Sequence, residues 1–342
     1  MRPVGRAVFI THGGPRIGLG HVKRCLALAK ALVSEGAEVA FVASPDHEVA
    51  RVITSAGFDV VQCVWEGDPA AAFDALGDRG ADTVIVDAYT ARPEHFEALR
   101  PRAGQLVAID DTGERRLPVD AVVNVGAGTE TLEYKVAPGT TLLLGPRYAL
   151  LDPTYAEVPV RSARARVERV LVTLGGSVHV DALRAVVAAV DAVVDRVRVD
   201  VAIGPFGGTA VLEGATHPGR NHVVFHGTLP DLRSLMLEAD FAVTGAGVTL
   251  YEAAATATPA VMVMTALNQQ RNVTAFERAR AALSAGHVSE PGLPARVRTA
   301  VSRLAADPAL RTSLGAAGRR LVDGAGAHRV VEALAALPSV RR

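Results

Sequence analysis

The feature that most restricts the fold is a repeated alternation. Short Val/Ile-rich runs are separated by stretches with helical spacing, from one end of the chain to the other. Apolar runs of strand length, each followed by an amphipathic stretch, are the pattern of βαβ units and parallel sheets. In the first half this predicts strands near Ala7–Thr11, Glu38–Ala43, Asp59–Gln62, Thr83–Asp87, Leu106–Ile109 and Ala121–Asn124, with helices near 21–35, 46–56, 69–79 and 93–100. Gly36 after Glu35 and Pro93 at a first helical turn are the expected stop and start signals. A proline- and charge-bearing stretch at 153–166 has no clean period and reads as a linker. Beyond it the alternation restarts, with strands near Arg169–Thr173, Val199–Ile203, Val223–His226, Phe241–Thr244 and Ala260–Met264 and a helix near 180–195. Three helices close the chain at about 293–306, 308–322 and 326–337, the last with a possible return to the first half. The expected architecture is α/β: an N-terminal Rossmann-like domain over 1–152, the linker 153–166, and a C-terminal Rossmann-like domain over 167–342. The active site is expected in the cleft between them.

The 342 residues suffice for two domains of ordinary size. Lys+Arg and Asp+Glu both number 36, a balance that argues against nucleic acid or an anionic membrane surface as the main partner. Cys25 and Cys63 both sit in apolar segments and read as buried core thiols, not as a disulfide or a metal pair. The first apolar stretch runs straight into Gly13-Gly14, which marks a strand and not a signal peptide. No segment is long enough to span a bilayer, so a cytoplasmic protein without an integral membrane segment is expected.

Two glycine turns carry the chemistry. Ile17-Gly18-Leu19-Gly20-His21-Val22-Lys23-Arg24 reads as a turn that opens a helix, with His21 in its first turn. Glycine at 18 and 20 lets a ligand approach the backbone. The positive end of the helix dipole favours a neutral, proton-accepting imidazole, which suits a general base beside an anionic substrate. The alternative is a cap or a solvent contact. Lys23 stands where a third glycine would complete a dinucleotide fingerprint, so an NAD site is not indicated. In the second half Thr244-Gly245-Ala246-Gly247-Val248-Thr249-Leu250-Tyr251-Glu252 follows a strand and opens a helix. Its amides at 246–249 can hold an anion, Thr249 adds a hydroxyl, and Glu252 can bind two adjacent ribose hydroxyls. A Thr249/Glu252 capping box is the structural alternative. Gly175-Gly176-Ser177 and Asn268-Gln269-Gln270 also follow strands and complete a phosphate and nucleoside pocket. Asp87-Ala88-Tyr89 and Asp110-Asp111 end strands of the first half, the aspartate pair reading as a turn with a cap. No metal is expected. His47, His95, His179, His217 and His328 read as surface or capping residues.

In order along the chain, these segments, together with Gly145-Pro146-Arg147-Tyr148-Ala149-Leu150-Leu151, resemble the PseG/SpsG family over residues 6 to about 285. Its best-known members are UDP-2,4-diacetamido-2,4,6-trideoxy-β-L-altropyranose hydrolases. The resemblance implies the GT-B fold, kinship to MurG-type glycosyltransferases, and metal-free, cofactor-free cleavage of an anomeric C–O bond by water. It implies a uracil nucleotide on the second domain and a sugar between the domains. On this resemblance His21 is the base. The resemblance makes Asp87 and Tyr89 sugar contacts, and Gly18, Gly20, Arg24, His12 and Tyr148 are further candidate substrate contacts. Gly175, Gly176, Ser177, Gly245, Gly247, Val248, Thr249, Glu252, Asn268 and Gln269 are contacts to the nucleotide, Asn268 and Gln269 facing the pyrophosphate or sugar.

Two departures bear on the sugar. The family's Arg-(small)-Asp-Ser-like segment is Ile10-Thr11-His12-Gly13-Gly14 here, with His12 in place of the Asp, and Leu151-Asp152 stands where Leu-Arg is usual. The sugar is therefore expected to differ from the pseudaminic precursor. Thr11-His12-Gly13-Gly14 also resembles the first loop of GT-B glycosyltransferases, whose histidine deprotonates an acceptor. Three activities follow as expectations: a nucleotide-sugar hydrolase, an inverting glycosyltransferase using a small-molecule or glycan acceptor, and a non-catalytic nucleotide-sugar binder.

Overall fold

A computed structural model describes residues 5–69, 71–74, 76, 80–159, 161–175, 180–204, 221–227, 229 and 231–337. Gly176, Ser177, His179 and His217 lie outside the described residues. The chain forms two compact units: Met1–Pro153 with Gly324–Arg342, and Thr154–Asp323.

The first unit contains β1 (Arg6–Thr11), α1 (Gly20–Ser34), β2 (Glu38–Ala43), α2 (His47–Ser55), β3 (Asp59–Gln62), α3 (Ala71–Asp74), β4 (Ala81–Asp87), α4 (Pro93–Leu99), β5 (Ala103–Ile109), β6 (Arg116–Leu117), β7 (Ala121–Asn124), β8 (Lys135–Val136) and β9 (Thr141–Leu144). Seven strands pair in parallel in the order β3-β2-β1-β4-β5-β7-β9, and β6 and β8 form a separate ribbon. Strand order reverses between β1 and β4, where register pairs Thr11 with Asp87. Open parallel sheets leave a crevice beyond the strand carboxyl ends at such a point. Val8, Ile10, Val84, Val86, Leu106 and Ala108 pack with Trp65, Phe73 and Phe96 into one core. Burial on both faces explains the near-continuous apolar runs of β1 and β4.

The second unit contains β10 (Arg169–Thr173), α5 (Val180–Asp191), β11 (Arg198–Ala202), β12 (His222–His226), α6 (Arg233–Glu238), β13 (Phe241–Gly245), α7 (Val248–Ala255), β14 (Ala260–Met264), α8 (Gln270–Arg278), β15 (Leu283–His287), α9 (Leu293–Ala306) and α10 (Pro308–Leu321). Its six described strands are parallel in the order β12-β11-β10-β13-β14-β15, reversing between β10 and β13. Residues 155–159 and 161–166 belong to this unit. Arg161 donates to the carbonyls of Met236, Ala239 and Thr256 and to Thr258 Oγ1, and Arg164 bonds Asp240. The last helix, α11 (Gly326–Ala336), belongs to the first unit, where it packs on α1. Gly326 lies so close to the backbone of Tyr148 and Ala149 that a Cβ would fall 2.3 Å from the Ala149 carbonyl oxygen.

The structure corrects the reading of one thiol. Cys25 is buried, but Cys63 is only half-buried at the margin of the core. His95 is both a buried residue and a cap, its Nδ1 accepting the Arg92 amide at the start of α4.

Candidate active site

The apolar run of β1 ends at Thr11, and the chain makes a tight turn in which the Gly18 amide donates to the Gly14 carbonyl at 2.7 Å. Gly18 takes φ +81°, which only glycine adopts at no steric cost. Helix α1 then starts at Gly20 without a side-chain cap, and no described residue accepts from its first-turn amides. His21 and Arg24, one turn apart, project from the same face toward the ends of β4 and β5.

There they meet two carboxylates. His21 Nδ1 donates to Asp87 Oδ1 at 2.6 Å. Arg24 grips Asp87 with Nε and Nη2, both at 2.6 Å, and Asp111 with Nη1 at 2.6 Å and Nη2 at 3.1 Å. Because Nδ1 carries the proton given to Asp87, Arg24 Nη2, 3.0 Å away from it, is a close neighbour and not a donor. His21 Nε2 is left without a hydrogen-bond partner among the described residues. Burial alone would push the Asp87 carboxyl up, but the attraction of Arg24 and His21 outweighs it and holds the group well below the usual carboxylate range. Asp111 is lowered by Arg24 against the same burial penalty. Two carboxylates and one guanidinium leave the cluster one negative charge in excess. A proton taken up by His21 brings it to neutrality, the role a buried aspartate plays beside a histidine base.

Rings complete the cluster. The His21 ring lies 4.5 Å from Tyr89 and 4.4 Å from His12, nearly perpendicular to both. Tyr89 is 44% exposed, donates its hydroxyl to Asp111, and has its own ionisation raised by burial and that carboxylate. Burial, then His21, pushes His12 down to about 4. Below pH 6.5 the unfolded chain binds a proton at His12 that the folded chain refuses until about pH 4. Stability is therefore expected to fall as pH drops through that window. Urea titrations of His12→Phe should show that part of the slope removed, by on the order of 1–2 kcal/mol; an unaltered slope would contradict the assignment.

The structure shows what several of the expected sugar contacts touch within the protein. Asp87 is fully buried beneath His21, and Arg24 is committed to two carboxylates. Tyr148 lies after edge strand β9 with the Arg147 guanidinium over its ring, outside the His21 cluster. The Asp110-Asp111 pair divides. Asp110 makes the expected turn, accepting from the Thr112 and Gly113 amides and from Arg115, while Asp111 joins the site. Arg115, which motif reading missed, also bonds the carbonyls of Ala88 and Ala91 and so fixes the loop that carries Tyr89.

In the second unit α7 begins after Gly247, again without a side-chain cap. The Ala246 amide is taken by Val263, whereas those of Gly247, Val248 and Thr249 donate to no described residue. With Gly247 as N-cap, Thr249 and Glu252 do not form a capping box. Glu252 is buried one turn in and accepts from the Tyr155 hydroxyl at 3.2 Å. Gln269 ties down Thr265 and lies against Gly247, where a Cβ would sit 3.3 Å from its Nε2. Asn268 beside it is exposed, and Gly175 at the end of β10 takes φ +97°. Asn272, another residue without a sequence signal, donates to the Ala246 carbonyl and accepts from Tyr251, fixing the β13–α7 turn.

The glycines separate into two kinds. A Cβ at Gly245 would lie 2.7 Å from the Leu174 carbonyl oxygen, so the absence of a side chain here serves packing of β10 on β13. A Cβ at Gly20 meets nothing within 4 Å. Gly245→Ala is expected to cost about 1–3 kcal/mol, and Gly20→Ala to stay within about 0.5 kcal/mol of the parent. Urea midpoints compare them, and equal losses would refute the distinction.

No protein-family model matches the chain. It is 24% identical over 273 residues to an uncharacterized protein of Methanocaldococcus jannaschii, covering 75% of this chain and 55% of that relative, about half its length. It is 25% identical over 328 residues to the spore coat polysaccharide biosynthesis protein SpsG of Bacillus subtilis, covering 94% of this chain and 95% of SpsG. Among solved structures, MurG of Acinetobacter baumannii aligns with a TM-score of 0.66 at 17% identity over 96% of this chain and 99% of MurG. The glycosyltransferase VinC, solved in complex with dTDP, aligns with a TM-score of 0.65 at 18% identity over 96% and 98%. The chain is thus a homologue of SpsG over nearly its whole length, built on the GT-B glycosyltransferase fold.

Proposed function

We propose that this chain hydrolyses a UDP-sugar, cleaving the anomeric C–O bond to release UDP and free sugar. The observation that carries the reading is His21, tied by Nδ1 to a buried carboxylate with Nε2 left to act. Nε2 takes a proton from water as the oxygen forms its bond to C1. The C1–O bond to UDP breaks on the opposite face, inverting the anomeric centre. Asp87 compensates the imidazolium. Tyr89, exposed at the rim of the cluster, contacts the sugar, and Gly18 and Gly20 leave room for it.

The nucleotide belongs to the second unit. The amides of Gly247, Val248 and Thr249, at the positive end of α7, meet the diphosphate and stabilise its charge as it departs. Glu252 accepts from the ribose hydroxyls, oriented by Tyr155. Gln269 and Asn268 border the same turn, and Gly175 opens the neighbouring one. The kinship to SpsG and the dTDP held by VinC support a nucleotide sugar as substrate.

Solved neighbours include glycosyltransferases, which favours one second reading: an acceptor hydroxyl takes the place of water at the same base. A panel of UDP- and dTDP-sugars, assayed for nucleotide release without acceptor, separates the two. Stoichiometric free sugar is the expected result. Donor binding with only trace release would identify a transferase, and binding with no turnover under any acceptor a non-catalytic binder.

A further inference from the structure

His12 is a second buried imidazole beside the proposed base. It directly follows β1 and is 2% exposed. The Tyr89 amide donates to its Nε2 at 3.3 Å, which places the His12 proton on Nδ1. Its ring stands at 82° to that of His21 with centroids 4.4 Å apart, and at 70° to that of Tyr89 at 5.6 Å. Tyr89 in turn stands at 89° to His21. The His21 ring thus has two near-perpendicular neighbours in addition to its bond to Asp87, the edge-to-face arrangement aromatic rings prefer.

Charge explains why an imidazole suits this position. The charged groups acting on it are Asp87 from β4, Arg24 from α1 and Arg115, besides His21 itself. Asp111 completes the cluster through Arg24, and Arg115 is paired with Asp110. A carboxylate at position 12 would add a second uncompensated negative charge, and a cation would cancel the excess that compensates a proton on His21. A neutral ring supplies contact without either effect.

We propose that His12 is a positioning residue: together with Tyr89 it clamps the His21 ring edge-on, keeping Nδ1 on Asp87 and Nε2 toward the reacting water. The kinetic part of this inference rests on His21 being the base. The structural part does not.

The test uses ¹⁵N-histidine-labelled protein and long-range ¹H–¹⁵N spectra, which report each ring's tautomer without substrate. Nucleotide release from the best donor of the panel is measured in parallel. In the parent protein His21 is expected as a single tautomer protonated on Nδ1, with His12 likewise protonated on Nδ1. His12→Phe keeps a ring and should retain the His21 tautomer and at least about a third of kcat. His12→Ala removes the clamp and should mix the His21 tautomers and lower kcat about tenfold, the scale of one lost ring contact, with KM unchanged. In His12→Asp the added carboxylate should move the acid limb of the rate profile to higher pH. Thermal unfolding of each variant separates a lost fold from a lost clamp. An unchanged His21 tautomer in His12→Ala would overturn the proposal, as would His12→Phe behaving like His12→Ala. If no nucleotide sugar is turned over, the proposed hydrolysis fails, while the tautomers still decide the role of His12.

Discussion

Replacing His21 with alanine is expected to slow nucleotide release by roughly 10²–10⁴-fold, the usual contribution of a positioned general base. The loss should fall on kcat, because in the proposed reaction the imidazole takes its proton only as the C–O bond breaks, and the proposed nucleotide contacts lie on the second unit. Asp87→Asn should give a loss of the same order by a different route. An amide at that position can donate to Nδ1 as well as accept from it, so it no longer dictates which nitrogen is the base. Steady-state kinetics of the two variants and of the double variant check this. Losses that multiply in the double variant would mean that the pair does not act as a unit, and an unchanged kcat in His21→Ala would remove this residue from the mechanism.

Arg24→Met is expected to be the most damaging substitution for stability, at about 3–5 kcal/mol, the cost of stranding a buried charge. Four hydrogen bonds from one guanidinium hold Asp87 and Asp111 together, and Asp87 has no access to water. The pH dependence gives the sign. In the parent protein the Asp87 carboxyl is depressed below its ordinary 3.8. Its contribution is present above that value and is lost as pH falls through the folded-state pKa. Without Arg24 burial dominates and raises both carboxyls, so the variant should gain stability as pH is lowered toward theirs. Arg24→Lys should lie between, since an ammonium cannot fork onto two carboxylates. Denaturant midpoints from pH 4 to 8 decide it, and a midpoint equal to that of the parent would show that the cluster tolerates two uncompensated charges.

Much of the frame was legible because parallel strands buried on both faces leave near-continuous apolar runs. β2, β3, β7, β10 and β14 could be read to the residue, and the glycine turns at 18–20 and 245–247 marked where helices begin. Among the strands that escaped, two have evident physical reasons. β9 (Thr141–Leu144) pairs on one side only, and β15 (Leu283–His287) is an edge strand whose Ser284 and Gly286 break the apolar run. The His21 cluster was half legible. His21 stands in a local motif, but its partners lie far along the chain: Asp87 and Arg24 are 63 residues apart, and Asp111 and Arg24 are 87 apart. Only the pairing order β1-β4-β5 brings them together. Read locally, Asp87 and Arg24 look like polar groups awaiting a sugar. In the fold they are consumed by each other, and only Tyr89 remains at the surface.

The measurement that bears most directly on the proposed reaction is turnover of the best UDP-sugar in ¹⁸O-water, with mass spectrometry of both products and NMR of the newly released anomer. The proposed mechanism predicts one ¹⁸O on C1 of the free sugar, none in UDP, and initial release of the inverted anomer. Label in the phosphate of UDP, or retention at C1, would contradict it.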